Sequence, residues 1–205
     1  EEGHFTDEDL AKIDEKTKIV AFAAVSNVLG MKRPIEKIIE KAHAVGAIAV
    51  LDGAQSAPHM KSDVQKWDCD FYAFSGHKMM GSAGTGVLYG KKKLLNAMEP
   101  FLSGGDMIEY VQEQSTTFEQ VPFKFEAGTE NVEGAVALHA AIDYLEDLGF
   151  DEIERHEYEL TKHCLEGLMK LPYVHILGSK DPEEKVGVIA FTIDGVHPHD
   201  VATIL

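Results

Sequence analysis

Residues 47–55, AIAVLDGAQ, decide the fold of this chain. Residues 47–51 of this stretch form a continuous apolar run, which is typical of a parallel strand that is buried on both faces. The run ends in a carboxylate, Asp52, and then in Gly53, which permits a tight turn. Ligands of open α/β sheets bind at the carboxyl ends of the strands, so Asp52 is placed to face one. An isolated Asp in this position more often caps the next helix.

The residues on either side of this stretch continue an alternation of strand and helix. An apolar run over 19–25 precedes an amphipathic segment over 34–44 that begins at Pro34 and ends before Gly46. Together with 47–51 this predicts a right-handed βαβ unit with parallel strands. Apolar runs over 71–74 and 85–89 predict further strands. The chain is therefore predicted to be α/β, with a mostly parallel sheet that is flanked by helices and buried on both faces.

The second half of the chain has a different pattern. Residues 100–134 lack a helical period and contain an alternation over 123–125, so we predict that this segment forms short strands and loops that wrap an edge or a partner subunit. Helices are predicted over 133–148 and 151–171, and a strand over 186–193. The first helix has one apolar stripe, composed of Val136, Ala137, Ala140, Ala141, Tyr144, Leu145 and Leu148. With a boundary at Gly149, we predict a large domain over 1–148 and part of a smaller α+β domain over 149–205.

Composition limits the classes of partner. The 205 residues are 44% hydrophobic and carry a formal net charge of −16, which predicts a soluble globular protein and argues against nucleic acid or an anionic membrane as partner. No apolar run approaches the roughly 20 residues of a membrane span. The chain begins without Met and ends in an apolar helical pattern over 200–205, so we expect a piece of a longer protein.

Two cysteines, Cys69 and Cys164, lie far apart and form neither a disulfide pattern nor a metal motif. Cys69 precedes a predicted buried strand, and Cys164 lies among leucines in a predicted helix, so both are predicted to be small core residues. Neither has the cationic, partly exposed setting of a reactive thiolate. We expect no metal site and a reducing, cytoplasmic location.

A second polar motif, Ser75-Gly76-His77-Lys78, also follows a predicted strand. A lysine amine becomes a nucleophile when desolvation or neighbouring cations lower its pKa. The hydroxyl of Ser75 and the imidazole of His77 are suited to binding a phosphate. Taken alone, Lys78 is more simply interpreted as a solvated surface lysine.

The motifs DGAQ and SGHK each follow a predicted strand and lie about twenty-five residues apart. In this arrangement the sequence resembles the fold-type I pyridoxal-phosphate enzymes, and within them the class V aminotransferase group. Five motifs are similar, in order and spacing, to cysteine desulfurases and selenocysteine lyases of the sulfur-mobilisation type: VSNVLG at 25–30, DGAQ at 52–55, DCDFY at 68–72, FSGHK at 74–78 and FEAGT at 125–129. The resemblance covers nearly the whole chain.

The resemblance implies a role for each motif residue. Lys78 would form the Schiff base with pyridoxal phosphate and move the substrate Cα proton. The remaining implied assignments are Asp52 to the pyridinium nitrogen, Gln55 to the phenolic oxygen, Ser75 and His77 to the phosphate, Thr129 to the phosphate of the neighbouring subunit in a homodimer, and Asn27 to the substrate carboxylate.

The resemblance also implies an activity, which is removal of sulfur or selenium from cysteine or selenocysteine. The products would be alanine and an enzyme persulfide, passed to an acceptor protein for iron–sulfur cluster assembly. The nucleophilic Cys of the family belongs to a loop beyond Leu205, so we expect these residues alone to be nearly inactive. Two alternatives stay open: another class V enzyme, such as a small-amino-acid aminotransferase or a kynureninase-like lyase, or a truncated piece that dimerises without catalysis.

Overall fold

A computed structural model describes residues 3–205, and a four-stranded sheet lies at its centre. Its strands, in spatial order, are β1 (Ile19–Ala23), β2 (Ile48–Asp52), β3 (Phe71–Ser75) and β4 (Gly86–Gly90). The first three are parallel and β4 is antiparallel to β3. The prediction of a mostly parallel sheet built on a βαβ unit is therefore confirmed.

Helices and two small hairpins surround this sheet. The helices are α1 (Asp7–Ala11), α2 (Ile35–Ala44), α3 (Val64–Trp67), α4 (Lys92–Ala97), α5 (Val132–Leu148), α6 (Phe150–Leu168) and α7 (Pro198–Ile204). The remaining strands pair antiparallel, β5 (Ile108–Val111) with β6 (Thr116–Phe118) and β7 (Val174–Leu177) with β8 (Ala190–Ile193). Short 3-10 helices occupy Gly76–Met79, Phe123–Phe125 and Pro182–Glu184.

The crossover helix α2 shows how the sequence builds the core. Its apolar residues recur at helical spacing, and four of them are buried: Ile35, Ile38, Ile39 and Ala42. Gly46, with φ of +74°, follows the helix and turns the chain into β2. The core that α2 helps to form also includes Ala49 and Leu51 of β2, Tyr72 of β3 and Leu145 of α5.

The prediction that the strands are buried on both faces is wrong for the outer two. Ile19 of β1 is 60% exposed, and Val87 and Leu88 of β4 are 40% and 54% exposed. Both strands lie at the margins of the sheet, where the described helices do not cover them. The inner strands β2 and β3 contribute Leu51 and Tyr72 to the core.

The short strands predicted within residues 100–134 are confirmed by β5 and β6. Two other strand predictions were wrong. Residues 123–125 form a 3-10 helix, because Pro122 before them has helical angles that start a turn. The predicted strand over 186–193 is shortened to β8, because the residues before β8 pair elsewhere. Met31 and Lys185 form an isolated bridge, and the Val186 N–H donates to the Gly30 carbonyl at 2.9 Å.

The apolar stripe predicted for α5 was wrong in part. The helix buries Gly134, Leu138, Ala141 and Leu145, which share one face, whereas Val136 and Tyr144 are 64% and 52% exposed. Alternating steps of four and three residues keep the buried set on one side, and the predicted stripe was too wide to face a single neighbour.

The core position predicted for Cys164 was wrong. Cys164 is exposed, because α6 turns Thr161 and Leu165 inward and leaves Cys164 outside. Helix α6 also ends at Leu168, three residues before the predicted end. No helix within residues 3–205 has the length and hydrophobicity to cross a membrane. The division into domains at Gly149 stays a prediction.

Candidate active site

The carboxyl ends of three parallel strands meet at one edge of the sheet. Ala23 pairs with Asp52, and Asp52 pairs with Ala73, which lies two residues before Ser75. The register therefore places Asp52 and Ser75 at the same edge, as the sequence predicts. Asn27 follows the end of β1 on this side.

One carboxylate oxygen of Asp52 accepts a hydrogen bond within a turn, and the other accepts none from the described residues. Its Oδ1 accepts a hydrogen bond from the Ala54 N–H at 2.8 Å, and the residue is exposed. Its other oxygen has no hydrogen-bond partner within residues 3–205. Capping the turn and facing a ligand are thus compatible, because each uses a different oxygen.

Gly53 is required by the packing beneath this turn. Its N–H donates to the Ala73 carbonyl at 2.7 Å, which holds the turn on β3. A Cβ at this position would lie 2.1 Å from the ring of Tyr72. Only glycine fits this space without a shift of the backbone or the ring.

The ring of Tyr72 packs beneath this turn, and the sequence predicted no role for this residue. Its hydroxyl is 2.8 Å from Ser62 Oγ and 3.4 Å from Ser56 Oγ, and its ring packs edge-on against Trp67 at 5.8 Å. Burial raises the pKa of the Tyr72 hydroxyl. Its place in the DCDFY motif was a signal, but the contact with Gly53 depends on the pairing of β2 with β3.

The lysine motif forms a compact turn after β3. Ser75 Oγ lies 2.7 Å from His77 Nδ1, so the two predicted phosphate ligands are neighbours. The 3-10 helix starts at Gly76, whose N–H donates to the Thr85 carbonyl at 2.8 Å. Lys78 is exposed and makes no ion pair within the part of the chain that the structure describes.

The other three predicted residues are not in hydrogen-bond contact with this turn. Gln55 is half-buried in the turn that follows Asp52, Thr129 is exposed before α5, and Asn27 is exposed beyond β1. The roles of these three side chains stay predictions.

Neither cysteine makes a hydrogen bond to Asp52 or to the turn that bears Lys78. Cys69 is buried before β3, and burial raises the pKa of its thiol, which opposes thiolate formation. Cys164 lies on α6. The prediction that Cys69 is a core residue is confirmed.

Comparison with known sequence families identifies the family of this chain. A sequence model of the family described as Aminotransferase class-V matches residues 1–205. The chain belongs to this family. The predicted resemblance to class V aminotransferases is therefore confirmed.

Similar class V proteins include cysteine desulfurases. A probable cysteine desulfurase from Halalkalibacterium halodurans is 55% identical over 199 residues, which are 97% of this chain and 48% of that protein. The apo structure of cysteine desulfurase from Thermococcus onnurineus NA1 matches with a TM-score of 0.94 and 43% identity, over 99% of this chain and 51% of that one. The chain spans about half the length of the curated relatives it matches.

A solved structure that contains pyridoxal phosphate is also similar to this chain. A mutant of C-DES with glycine covalently linked to its PLP cofactor is 26% identical, with a TM-score of 0.84 over 97% of this chain and 53% of that one. The chain therefore has an α/β fold of the fold-type I class of pyridoxal-phosphate enzymes.

The residues at the strand ends of this class V chain fit pyridoxal phosphate. The cofactor needs an amine, a carboxylate for its ring nitrogen and donors for its phosphate. Lys78 offers an exposed amine, Asp52 an unpartnered carboxylate oxygen, and Ser75 with His77 a hydroxyl and an imidazole side by side.

Proposed function

We propose that this chain carries the cofactor-binding part of a pyridoxal-phosphate-dependent cysteine desulfurase. One observation supports this most strongly: Asp52 and the turn that bears Ser75, His77 and Lys78 lie at one edge of a parallel sheet. The chain that builds this edge is 55% identical to a probable cysteine desulfurase.

Each residue would hold a different part of the cofactor. Lys78 would bind it covalently through Nζ, and Asp52 would keep its ring nitrogen protonated. Gln55 would donate to its phenolic oxygen, and Ser75 and His77 would bind its phosphate. When bound, pyridoxal phosphate supplies an electron sink for the pair left at the substrate Cα.

The chain's own residues would then act on the amino acid. Asn27 would orient the carboxylate of cysteine or selenocysteine. Lys78 Nζ, released from the cofactor when the substrate amine takes its place, would take the Cα proton and later return a proton to the product. A cysteine thiolate of the protein would attack the substrate sulfur, the substrate Cβ–S bond would break with its electron pair going to carbon, and alanine would leave after protonation. Cys69 is buried, and Cys164 on α6 makes no hydrogen bond to Asp52 or to the turn that bears Lys78. We therefore assign this thiolate to a cysteine outside these 205 residues.

The protein that contains this chain would also have protein partners and a cytoplasmic location. The persulfide would pass its sulfur to an acceptor protein for iron–sulfur cluster assembly in the cytoplasm. The working form would be a homodimer in which Thr129, exposed before α5, binds the phosphate of the neighbouring subunit.

The test is an absorption spectrum of the protein that contains this chain, with pyridoxal phosphate added. We expect a visible band that Lys78→Ala abolishes, and alanine formation from cysteine that falls about 10²-fold or more. Lys93→Ala, at another exposed lysine, is the matched control and should change neither. A band that persists in Lys78→Ala would contradict the proposal.

The products separate this activity from the two alternatives. Alanine together with protein-bound sulfane sulfur indicates a desulfurase, whereas a keto acid formed from the amino donor indicates an aminotransferase. A protein that binds the cofactor through Lys78 but converts no amino acid would be the non-catalytic alternative.

A further inference from the structure

The start of α5 is packed directly against Thr85. This residue lies in the loop between β4 and the lysine turn, which is the 3-10 turn Gly76–Met79 that bears Lys78. Gly134, in the first turn of α5, is buried, and a Cβ there would lie 1.9 Å from Thr85 Oγ1. Even alanine at this position would push the helix away from the loop. The close approach indicates that the position of Thr85 is set by the helix.

Asn131 joins the same two elements through both ends of its side-chain amide. Its Oδ1 caps α5 by accepting from the Gly134 N–H at 3.0 Å, and its Nδ2 donates to Thr85 Oγ1 at 3.1 Å. A cap requires only an acceptor, and serine, threonine or aspartate supplies one equally well. The donor to Thr85, 46 residues away in sequence, is therefore an interaction beyond capping.

Thr85 in turn holds the first residue of the lysine turn. Its carbonyl accepts from the Gly76 N–H at 2.8 Å, and the Gly76 carbonyl accepts from the Gly81 N–H at 2.9 Å, which closes the turn. A Cβ at Gly76 would lie 3.0 Å from the Thr85 carbonyl oxygen, so the two backbones are too close for a side chain at Gly76 to fit easily. Lys78 lies two residues after Gly76.

We propose that Asn131 is a positioning residue for Lys78. It acts through Thr85, whose side chain it binds and whose carbonyl fixes the turn Gly76–Met79. The same asparagine follows Thr129 by two residues, so it ties the segment assigned to the neighbouring phosphate to the turn assigned to the chain's own cofactor. This inference rests on the proposed function for the role of Lys78, but the link from Asn131 to the turn stands independently of the cofactor.

Hydrogen exchange of the cofactor-free protein tests the link. Asn131→Ser keeps the cap and removes the donor, and Thr85→Val removes the hydroxyl and keeps the backbone carbonyl. Both should raise the amide exchange rate of the peptide over 75–81 about three- to tenfold. Thr85→Ser, which retains the hydroxyl, should exchange like the unaltered protein. The control is Thr192→Val, at an exposed threonine of β8.

The bound cofactor tests the consequence for Lys78. Asn131→Ser and Thr85→Val should shift the midpoint pH of the Lys78-dependent visible band and weaken pyridoxal-phosphate binding about three- to tenfold. Thr85→Ser and the control should do neither. The melting temperature is recorded alongside to separate positioning from a loss of stability.

The outcomes distinguish this inference from the proposed function. Unchanged exchange over 75–81 in both disrupting variants would overturn the link, whatever the spectrum shows. Faster exchange with an unshifted midpoint and unchanged affinity would overturn the role in positioning Lys78. Faster exchange in a protein whose visible band is absent or does not depend on Lys78 would retain the link and contradict the proposed function.

Discussion

At the scale of single residues, the turn at Asp52 depends on a glycine whose surroundings leave no room for a side chain. A Cβ at Gly53 would overlap the ring of Tyr72, which is itself held by Ser62 and packed against Trp67. We expect Gly53→Ala to lower the free energy of unfolding by about 1–3 kcal/mol, as overpacking does, and to weaken pyridoxal-phosphate binding by displacing Asp52. Urea unfolding and a cofactor titration measure the two effects.

Two variants show whether the ring is the cause. Gly105→Ala adds the same methyl group in open space and should change the free energy of unfolding little. Tyr72→Ala combined with Gly53→Ala should cost less than the sum of the single changes, because the clash is gone. Additive costs would mean that the clash is not the origin of the effect.

At the scale of elements, one carboxylate connects four of them at the opposite edge of the sheet. Just before β3, Asp70 accepts from the Ala49 N–H at 2.8 Å, lies 2.9 Å from His43 Nε2 of α2, and pairs at 3.0 Å with Lys91, which follows β4. Burial favours the protonated acid, but the bonds from Ala49, His43 and Lys91 outweigh it. The pKa of Asp70 is therefore lowered from its ordinary value.

The lowered pKa gives a pH dependence with a definite sign. The ionised form stabilises the fold above the unfolded pKa of about 4, and this contribution is lost as the pH falls through the lower folded pKa. We expect Asp70→Asn to lower the free energy of unfolding by about 1–3 kcal/mol at pH 7, and the difference to shrink below about pH 4. Denaturant unfolding across pH measures it.

The matched control for Asp70 is Asp147→Asn, at an exposed position of α5 without a hydrogen bond or ion pair within residues 3–205. It should leave the curve of stability against pH nearly unchanged. A difference for Asp70→Asn that stays constant from about pH 7 to about pH 3 would contradict the assignment of the stabilisation to the ionised carboxylate.

At the scale of the whole molecule, residues 184–188 are attached to the segment between β1 and α2, which contains Gly30. The Lys32 N–H donates to the Glu184 carbonyl and the Val186 N–H to the Gly30 carbonyl, each at 2.9 Å. Gly30 has φ of +69°, and a Cβ would lie 2.6 Å from the Val188 carbonyl oxygen. This backbone contact leaves no room for a side chain.

Gly30→Ala should release this attachment. We expect faster limited proteolysis between residues 169 and 205, and a greater loss of stability than the roughly 1 kcal/mol of left-handed strain alone. Gly46→Ala is the control, because Gly46 has a similar φ of +74° and a Cβ there would have no atom of residues 3–205 within 4 Å. Equal losses of stability and equal cleavage in the two variants would contradict the steric explanation.

Much of the fold could be predicted because its signals are local. The apolar period of α2, Gly46 after it and the apolar run ending at Asp52 are each set by residues close in sequence. Edge exposure, the pairing of β5 with β6 and the short β8 could not be predicted, because they depend on which elements cover or pair with one another. The exposure of Cys164 has the same origin, since leucines surround it in sequence but α6 turns them to different sides.

The sequence by itself determined the sheet of this member of the class V aminotransferase family, the strand ends at which Asp52 and Ser75 lie, and the family to which its motifs belong. These depend on periodicity, turn chemistry and residue type, which act over a few residues. Only the tertiary structure decided that Tyr72 supports Gly53, that Asn131 reaches Thr85, and that residues 184–188 pair beside Gly30. Each of these contacts joins separate elements, and close packing, not local preference, selects the partner.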